Sequence, residues 1–134
     1  MASTPILSLA KAPFLLHDVI ATTAAVTFIF RPERQLQPLT ESGKLILQSY
    51  GGCLLFTSLV SLIFLTRPVV DETTRLAALA FTFWHAWPSY RAIVRMQRGI
   101  DTKGEMAKTL GGPITHLTVH TVLFVGFLYT AFSG

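Results

Sequence analysis

The sequence predicts an all-α fold, an integral membrane antiparallel four-helix bundle, on three observations. Four apolar segments, 14–30, 45–65, 76–94 and 114–132, are 17, 21, 19 and 19 residues long. At about 1.5 Å rise per residue, roughly 20 residues cross the ~30 Å hydrocarbon core. Charged residues make up 13% of the chain, about half the ~25% of soluble domains. Linkers of about 8 to 20 residues join the segments, which favours neighbouring helices that run up and down in turn. The whole chain, 1–134, reads as a single four-span domain.

Each segment has local start and stop signals. Pro13 suits the first turn of the first helix, where its missing N–H is not needed. Arg31-Pro32 ends that helix with a charge and a breaker. Thr40 or Ser42 can cap the second helix, and Arg67-Pro68 stops it. Asp71-Glu72-Thr73 opens the third with acids at a helix start. That helix runs on to Arg98 and halts at Gly99. Gly111-Gly112-Pro113 opens the fourth.

Composition excludes several classes. A soluble four-helix bundle needs a polar face on each helix. Segment 45–65 (LILQSYGGCLLFTSLVSLIFL) has no charge and is apolar on every side. The net charge is +4, but the basic residues sit at segment edges, where orientation explains them better than nucleic acid does. Cys53 is the sole cysteine and makes no internal disulfide. Segment 14–30 does not read as a signal peptide, since His17 and Asp18 interrupt its start and no small-residue cleavage site is expected after it.

All four histidines lie in or at the edge of apolar segments. Ionisable groups there are costly and by default face an interior or a cavity. Counting depth along each segment puts His85 level with His120, and Arg91 near His116. It leaves His17 at the far end of the first segment. His116 and His120, at i and i+4, share a helix face. Gln48 and Tyr50 fall in the same half of the second segment, as do Ser89 and Tyr90 in the third. Trp84, Trp87 and Phe81 are candidate walls of an apolar pocket around these groups.

Three readings of the cluster stay open. Polar side chains bond between helices at about 0.6–2 kcal/mol per contact, which is a purely structural role. Acid–base catalysis is the second: His85 or His120 moves protons while Arg91 or Tyr90 holds an oxyanion or hydroxyl. In that reading Trp84, Trp87, Phe81, Tyr50, Gln48 and His116 bind substrate. The third is metal or haem ligation by His85, His116 and His120, for which no carboxylate or cysteine joins at that depth. Pro88 frees the carbonyl of Trp84 and is expected to kink the third helix. Ala78, Thr82 and Ala86 form a small-residue stripe suited to close packing, within the bundle or in a homo-oligomer. Arg95, Arg98, Lys103 and Lys108 read as topology and lipid-headgroup residues.

Three stretches carry a family resemblance. They are LTESGKLILQSYGG, LAALAFTFWHAWPSY and LGGPITHLT, at 39–52, 76–90 and 110–118. With the chain length and four segments, they resemble the ergosterol-biosynthesis scaffold family of the endoplasmic reticulum, which tethers sterol C4-demethylation enzymes. A similar layout occurs in DoxX-like proteins and in small membrane enzymes of fungal secondary metabolism. The scaffold family's arginine and acidic residue around the second and third spans have no clear match here. The resemblance implies a non-catalytic scaffold with partner membrane enzymes.

The residues themselves point to a lipophilic small molecule, such as a terpenoid, sterol or polyketide, isomerised or cyclised without a cofactor. No phosphate loop and no hydride-cofactor fingerprint is present. Metal, cofactor and nucleic acid are not expected; membrane lipids are.

Topology gives the first testable prediction. Eight of the eleven Lys and Arg residues flank the side reached by the loops 31–44 and 91–108, and three flank the other. Basic loops stay cytoplasmic, so both termini are expected in the lumen. With Cys53 replaced by Ala, a Cys at Gly134 should react with an impermeant reagent only after the organelle is permeabilised. Labelling from the cytosol in gently opened cells would reverse the assignment.

Overall fold

Helix boundaries follow local chemistry in a computed structural model that describes residues 8–100 and 112–133. Four helices are present among them, and no strand: α1 (Ala12–Phe30), α2 (Glu41–Thr66), α3 (Glu72–Gln97) and α4 (Gly112–Phe132). A 3-10 turn, Leu9–Lys11, leads into α1, and another, Pro32–Arg34, follows it. Pro13 lies in the first turn of α1. Thr40 caps α2, its hydroxyl accepting from Gly43 N at 3.0 Å. Asp71 caps α3, accepting from Thr74 N at 2.9 Å and Thr74 Oγ1 at 2.8 Å. Gly99, at φ 63°, takes the left-handed conformation just past the end of α3, as glycine does most readily. The expected loop charges Asp101, Lys103, Glu105 and Lys108 lie outside the described residues.

Three helices, not four, are long and apolar enough to cross a membrane by length and composition: α1 with its leading turn, α2 and α4. Segment 76–94, read from the sequence as a further span, is not among them. Helix α3 is as long as α2, 26 residues. Its second half, Trp84-His85-Ala86-Trp87-Pro88-Ser89-Tyr90-Arg91, is built from amphipathic rings and polar groups. The same residues that build the site dilute the membrane signal. Helix α3 also runs unbroken through Pro88, and Ser89 Oγ donates to His85 O at 2.9 Å.

Helices α1 and α2 are joined by small polar residues. Ser61 Oγ donates to Phe14 O at 2.8 Å, Ser58 Oγ to Asp18 O at 3.3 Å, and Gln48 Nε2 to Ile29 O at 3.1 Å. Thr22 Oγ1 and Ser58 Oγ share a further bond of 3.0 Å. Lipid is as apolar as leucine, so helix pairs in a membrane are held by such bonds and by close packing. Gly51 supplies the closest approach. A Cβ there would lie 2.6 Å from Ile29 Cγ1, 3.1 Å from Phe28 Cβ and 3.2 Å from Ala25 O.

Helix α4 packs along α3 and meets α1 near its start. Thr130 Oγ1 donates to Ala10 O at 2.7 Å, and a Cβ on Gly126 would lie 3.0 Å from Pro13 Cγ. A phenyl cluster ties the three helices together. Phe14 meets Phe127 edge-on at 5.0 Å and Phe81 at 5.7 Å, while Phe81 and Phe127 stack at 4.8 Å. Such pairs contribute about 0.5–1.5 kcal/mol each beyond burial. Ala78 and Thr82 of the small-residue stripe are buried inside the molecule. Lys11 is buried too, and its Nζ donates to Arg67 O, which holds the entry of α1 to the end of α2.

Two predictions follow from these contacts. Gly51→Ala should lower the unfolding midpoint in detergent, because Ala25 O is backbone and Ile29 must move. Overpacking of this kind costs about 1–3 kcal/mol. Gly52 has nothing within 4 Å of an added Cβ, so Gly52→Ala should not lower the midpoint. Equal midpoints for the two variants would contradict the close approach at Gly51. The second concerns Asp71. The Thr74 backbone N–H, then the Thr74 hydroxyl and Arg67, hold its carboxyl down at about 2, against an ordinary 3.8. A depressed carboxylate contributes stability that is complete above its unfolded value and is lost as pH falls through the folded one. Acid should therefore weaken the native chain between about pH 4 and pH 2, and Asp71→Asn should flatten that part of the profile.

Candidate functional site

Four side chains, one from each helix, form a continuous file through the interior. Thr57 Oγ1 on α2 lies 3.1 Å from His17 Nε2 on α1. His17 Nδ1 lies 3.1 Å from His85 Nε2 on α3. His85 Nδ1 lies 2.8 Å from His120 Nδ1 on α4. The ring of His116 then meets the ring of His120 edge-on at 4.4 Å. The phenyl cluster supports the file from one side. His17 packs edge-on against Phe81 at 4.8 Å, and His85 stacks on Phe127 at 5.6 Å.

The approach of His85 to His120 is the one expected from depth. The place of His17 corrects the sequence reading, which left it at the far end. His17 is five residues into α1 and His85 thirteen into α3, yet their rings touch. At 1.5 Å per residue, α1 therefore begins about 12 Å inside the level where α3 begins. Depth counted from each segment's own start misses an offset between helices of 19 and 26 residues. Thr57 was missed because its hydroxyl reads as an ordinary back-bond, to Leu54 O at 2.8 Å, which it also makes.

A cavity of about 540 Å³ lies against the file, within the ~300–1,000 Å³ range of small-molecule sites. All four helices line it. Helix α1 contributes His17, Ala21, Ala24 and Phe28; α2 contributes Leu47, Tyr50 and Leu54; α3 contributes Trp84, His85, Trp87, Pro88 and Arg91; α4 contributes His116, Val119 and His120. The wall is mainly apolar, with Arg91, Tyr50 and the imidazoles as its polar points. Tyr50 and Trp84 stack across it, 6.4 Å between centroids and 11° apart.

Seven sequence-nominated residues meet at this cavity: His85, His120, His116, Arg91, Tyr50, Trp84 and Trp87. Three do not. Tyr90 is 60% exposed and packs edge-on against Trp87, on the outer face of α3. One helical step of 100° carries it past the wall. Phe81 is buried in the phenyl cluster behind the histidines. Gln48 spends its amide on Ile29 O, between α1 and α2. The file also bears on the metal reading. Among the described residues no three His, Cys, Asp or Glu side chains form a metal-binding group. The imidazoles of His17, His85 and His120 bond to one another in sequence, with no common point for their nitrogens.

The arrangement offers three chemical elements in one place: imidazole nitrogens able to take or give a proton, a guanidinium able to hold an oxyanion, and aromatic walls able to hold a hydrocarbon. Searches for relatives leave the function to be argued from this geometry, because no family model, no curated protein and no solved structure matches the chain.

Proposed function

We propose that the protein binds a lipophilic small molecule in the interior cavity and isomerises or cyclises it by proton transfer, without a redox cofactor. The observation that carries this reading is the end of the histidine file at an apolar cavity that also holds Arg91. A general acid or base contributes about 10²–10⁴-fold to a rate when it lies within hydrogen-bond reach of the proton it moves. A guanidinium beside it stabilises negative charge on an oxygen as the proton leaves. A mainly apolar cavity of about 540 Å³ with a few polar points supports a ligand such as a terpenoid, sterol or polyketide.

This reading places the protein as an antiparallel four-span bundle in an internal membrane, the endoplasmic reticulum, with both termini lumenal. Supporting it, the pairs Phe14–Ser61, Asp18–Ser58 and Ile29–Gln48 rise along α1 and fall along α2. A polar α3 then crosses the bilayer with its imidazole and guanidinium turned to the cavity and with partners close by. Orientation rests on the basic loops.

A scaffold that gathers membrane enzymes is the second reading. It expects histidines engaged only with neighbours, and His17 and His85 are 2% and 1% exposed. His120 favours the catalyst, since it is half-buried and lines the cavity.

Conservative substitution separates the two. Isomerisation and cyclisation both conserve mass, so the product is an isomer of its substrate. Membranes making the native chain should contain an isomer that is depleted about 10²–10⁴-fold, at equal expression, in the His85→Gln/His120→Gln double variant. Glutamine keeps hydrogen-bonding capacity but does not shuttle protons near neutral pH. Identical lipid profiles for the two chains would refute histidine acid–base catalysis. A scaffold should tolerate the double variant and fail when the loop 33–43 or the loop 100–110 is altered.

A further inference from the structure

We infer that the histidine file has a fixed direction, set by Thr57, that makes His120 Nε2 the base of the site and Thr57, His17 and His85 its positioning residues. The inference rests on the proposed proton-transfer reading for its chemical meaning, but its geometry stands apart from that reading.

The direction follows from counting protons. Thr57 Oγ1 lies 2.8 Å from Leu54 O, and a carbonyl only accepts. The single hydroxyl proton of Thr57 therefore lies on that bond. Thr57 Oγ1 can only accept from His17, so the proton of His17 sits on Nε2. With one proton per ring, His17 Nδ1 is bare and accepts from His85 Nε2–H. His85 Nδ1 is then bare in its turn and accepts from His120 Nδ1–H. The last nitrogen, His120 Nε2, is left with a lone pair. Among the described residues it has no hydrogen-bond partner, and its ring lines the cavity. None of the bonded partners in the file is a carboxylate, and burial among phenyl rings favours the uncharged state that this count assumes.

One choice at Thr57 thus sets three tautomers. An isolated neutral imidazole divides its proton between two nitrogens, and its other hydrogen bond decides which one is bare. Here the deciding bond is three residues away from the base. The ligand class follows: a molecule with an acidic C–H or O–H beside an oxygen that Arg91 can hold, such as a carbonyl compound. The proton passes from the ligand to His120 Nε2. The bonding pair stays on the ligand as an enolate or alkoxide opposite the Arg91 guanidinium. His120, now carrying two protons, shares the charge along the file: Nδ1–H goes to His85 Nδ1, and His85 Nε2–H goes to His17 Nδ1. The reverse passage returns the proton to a different carbon, with no net change in atoms or electrons.

The test reads protons directly. In detergent-solubilised protein with ¹⁵N-labelled histidine, the native chain should show His17 and His85 protonated at Nε2 and His120 at Nδ1, each as a single tautomer. Thr57→Val removes the acceptor at the head of the file. His120 should then appear as a mixture of both tautomers, and Thr57→Ser should restore the single one. His120 carrying its proton on Nε2 in the native chain would overturn the inference, as would a Thr57→Val spectrum unchanged at His120. The native and Thr57→Ser spectra decide the matter even where Thr57→Val does not fold. A correct tautomer order together with unchanged lipid isomers in the histidine double variant would refute only the catalytic reading.

Discussion

An imidazole ring withdrawn from water must find a partner for its nitrogens, and much of the interior is arranged around that demand. A buried polar group left unpaired costs about 1–3 kcal/mol, and in lipid no water is at hand to relieve it. Three such rings from three helices answer one another's need here, with Thr57 at the head of the file. Each bond therefore joins two helices. Helices α1, α3 and α4 are held at one level by the same contacts that create the chemistry.

The phenyl cluster plays the complementary part. Phe14, Phe81 and Phe127 fill the space on one side of the file and leave the cavity to the other. Stacking of His85 on Phe127 fixes the plane of the ring, and the two bonds at its nitrogens fix its rotation. A ring so held cannot turn to exchange its nitrogens without breaking contacts on both neighbours.

Much of this was legible in the sequence, and what was not has identifiable causes. Thr40, Asp71 and Gly99 could be read because capping depends on a few consecutive residues. The level of His85 and His120 could be read because α3 and α4 carry them at similar distances, thirteen and twelve residues, from ends that lie together. His17 could not, because the offset of α1 is set by tertiary contacts such as Ser61 with Phe14 and Thr130 with Ala10. Tyr90 was misplaced for a different reason: Trp84, Trp87 and Tyr90, three residues apart in turn, fan over about 120° of the helix, and spacing alone does not say which end of the fan is turned away. The length of α3 was legible from its stop at Gly99, but the rings and polar groups of its second half keep it from matching the apolar character of α1, α2 and α4. No local pattern marked Thr57, whose visible bond goes back to its own helix.

The Tyr50–Trp84 stack has a further consequence. Gly51 brings α1 so close to α2 that the pair has no slack, and α3 lies along α4 with its small residues inward. Consecutive helices α2 and α3 are linked at the Arg67–Asp71 corner and meet again where the two rings lie face to face. Sliding one aromatic face over another breaks no hydrogen bond, whereas parting α1 from α2, α1 from α3 or α3 from α4 does. In the proposed membrane-embedded bundle, this pair of rings is where a molecule dissolved in the bilayer would meet the cavity without entering water.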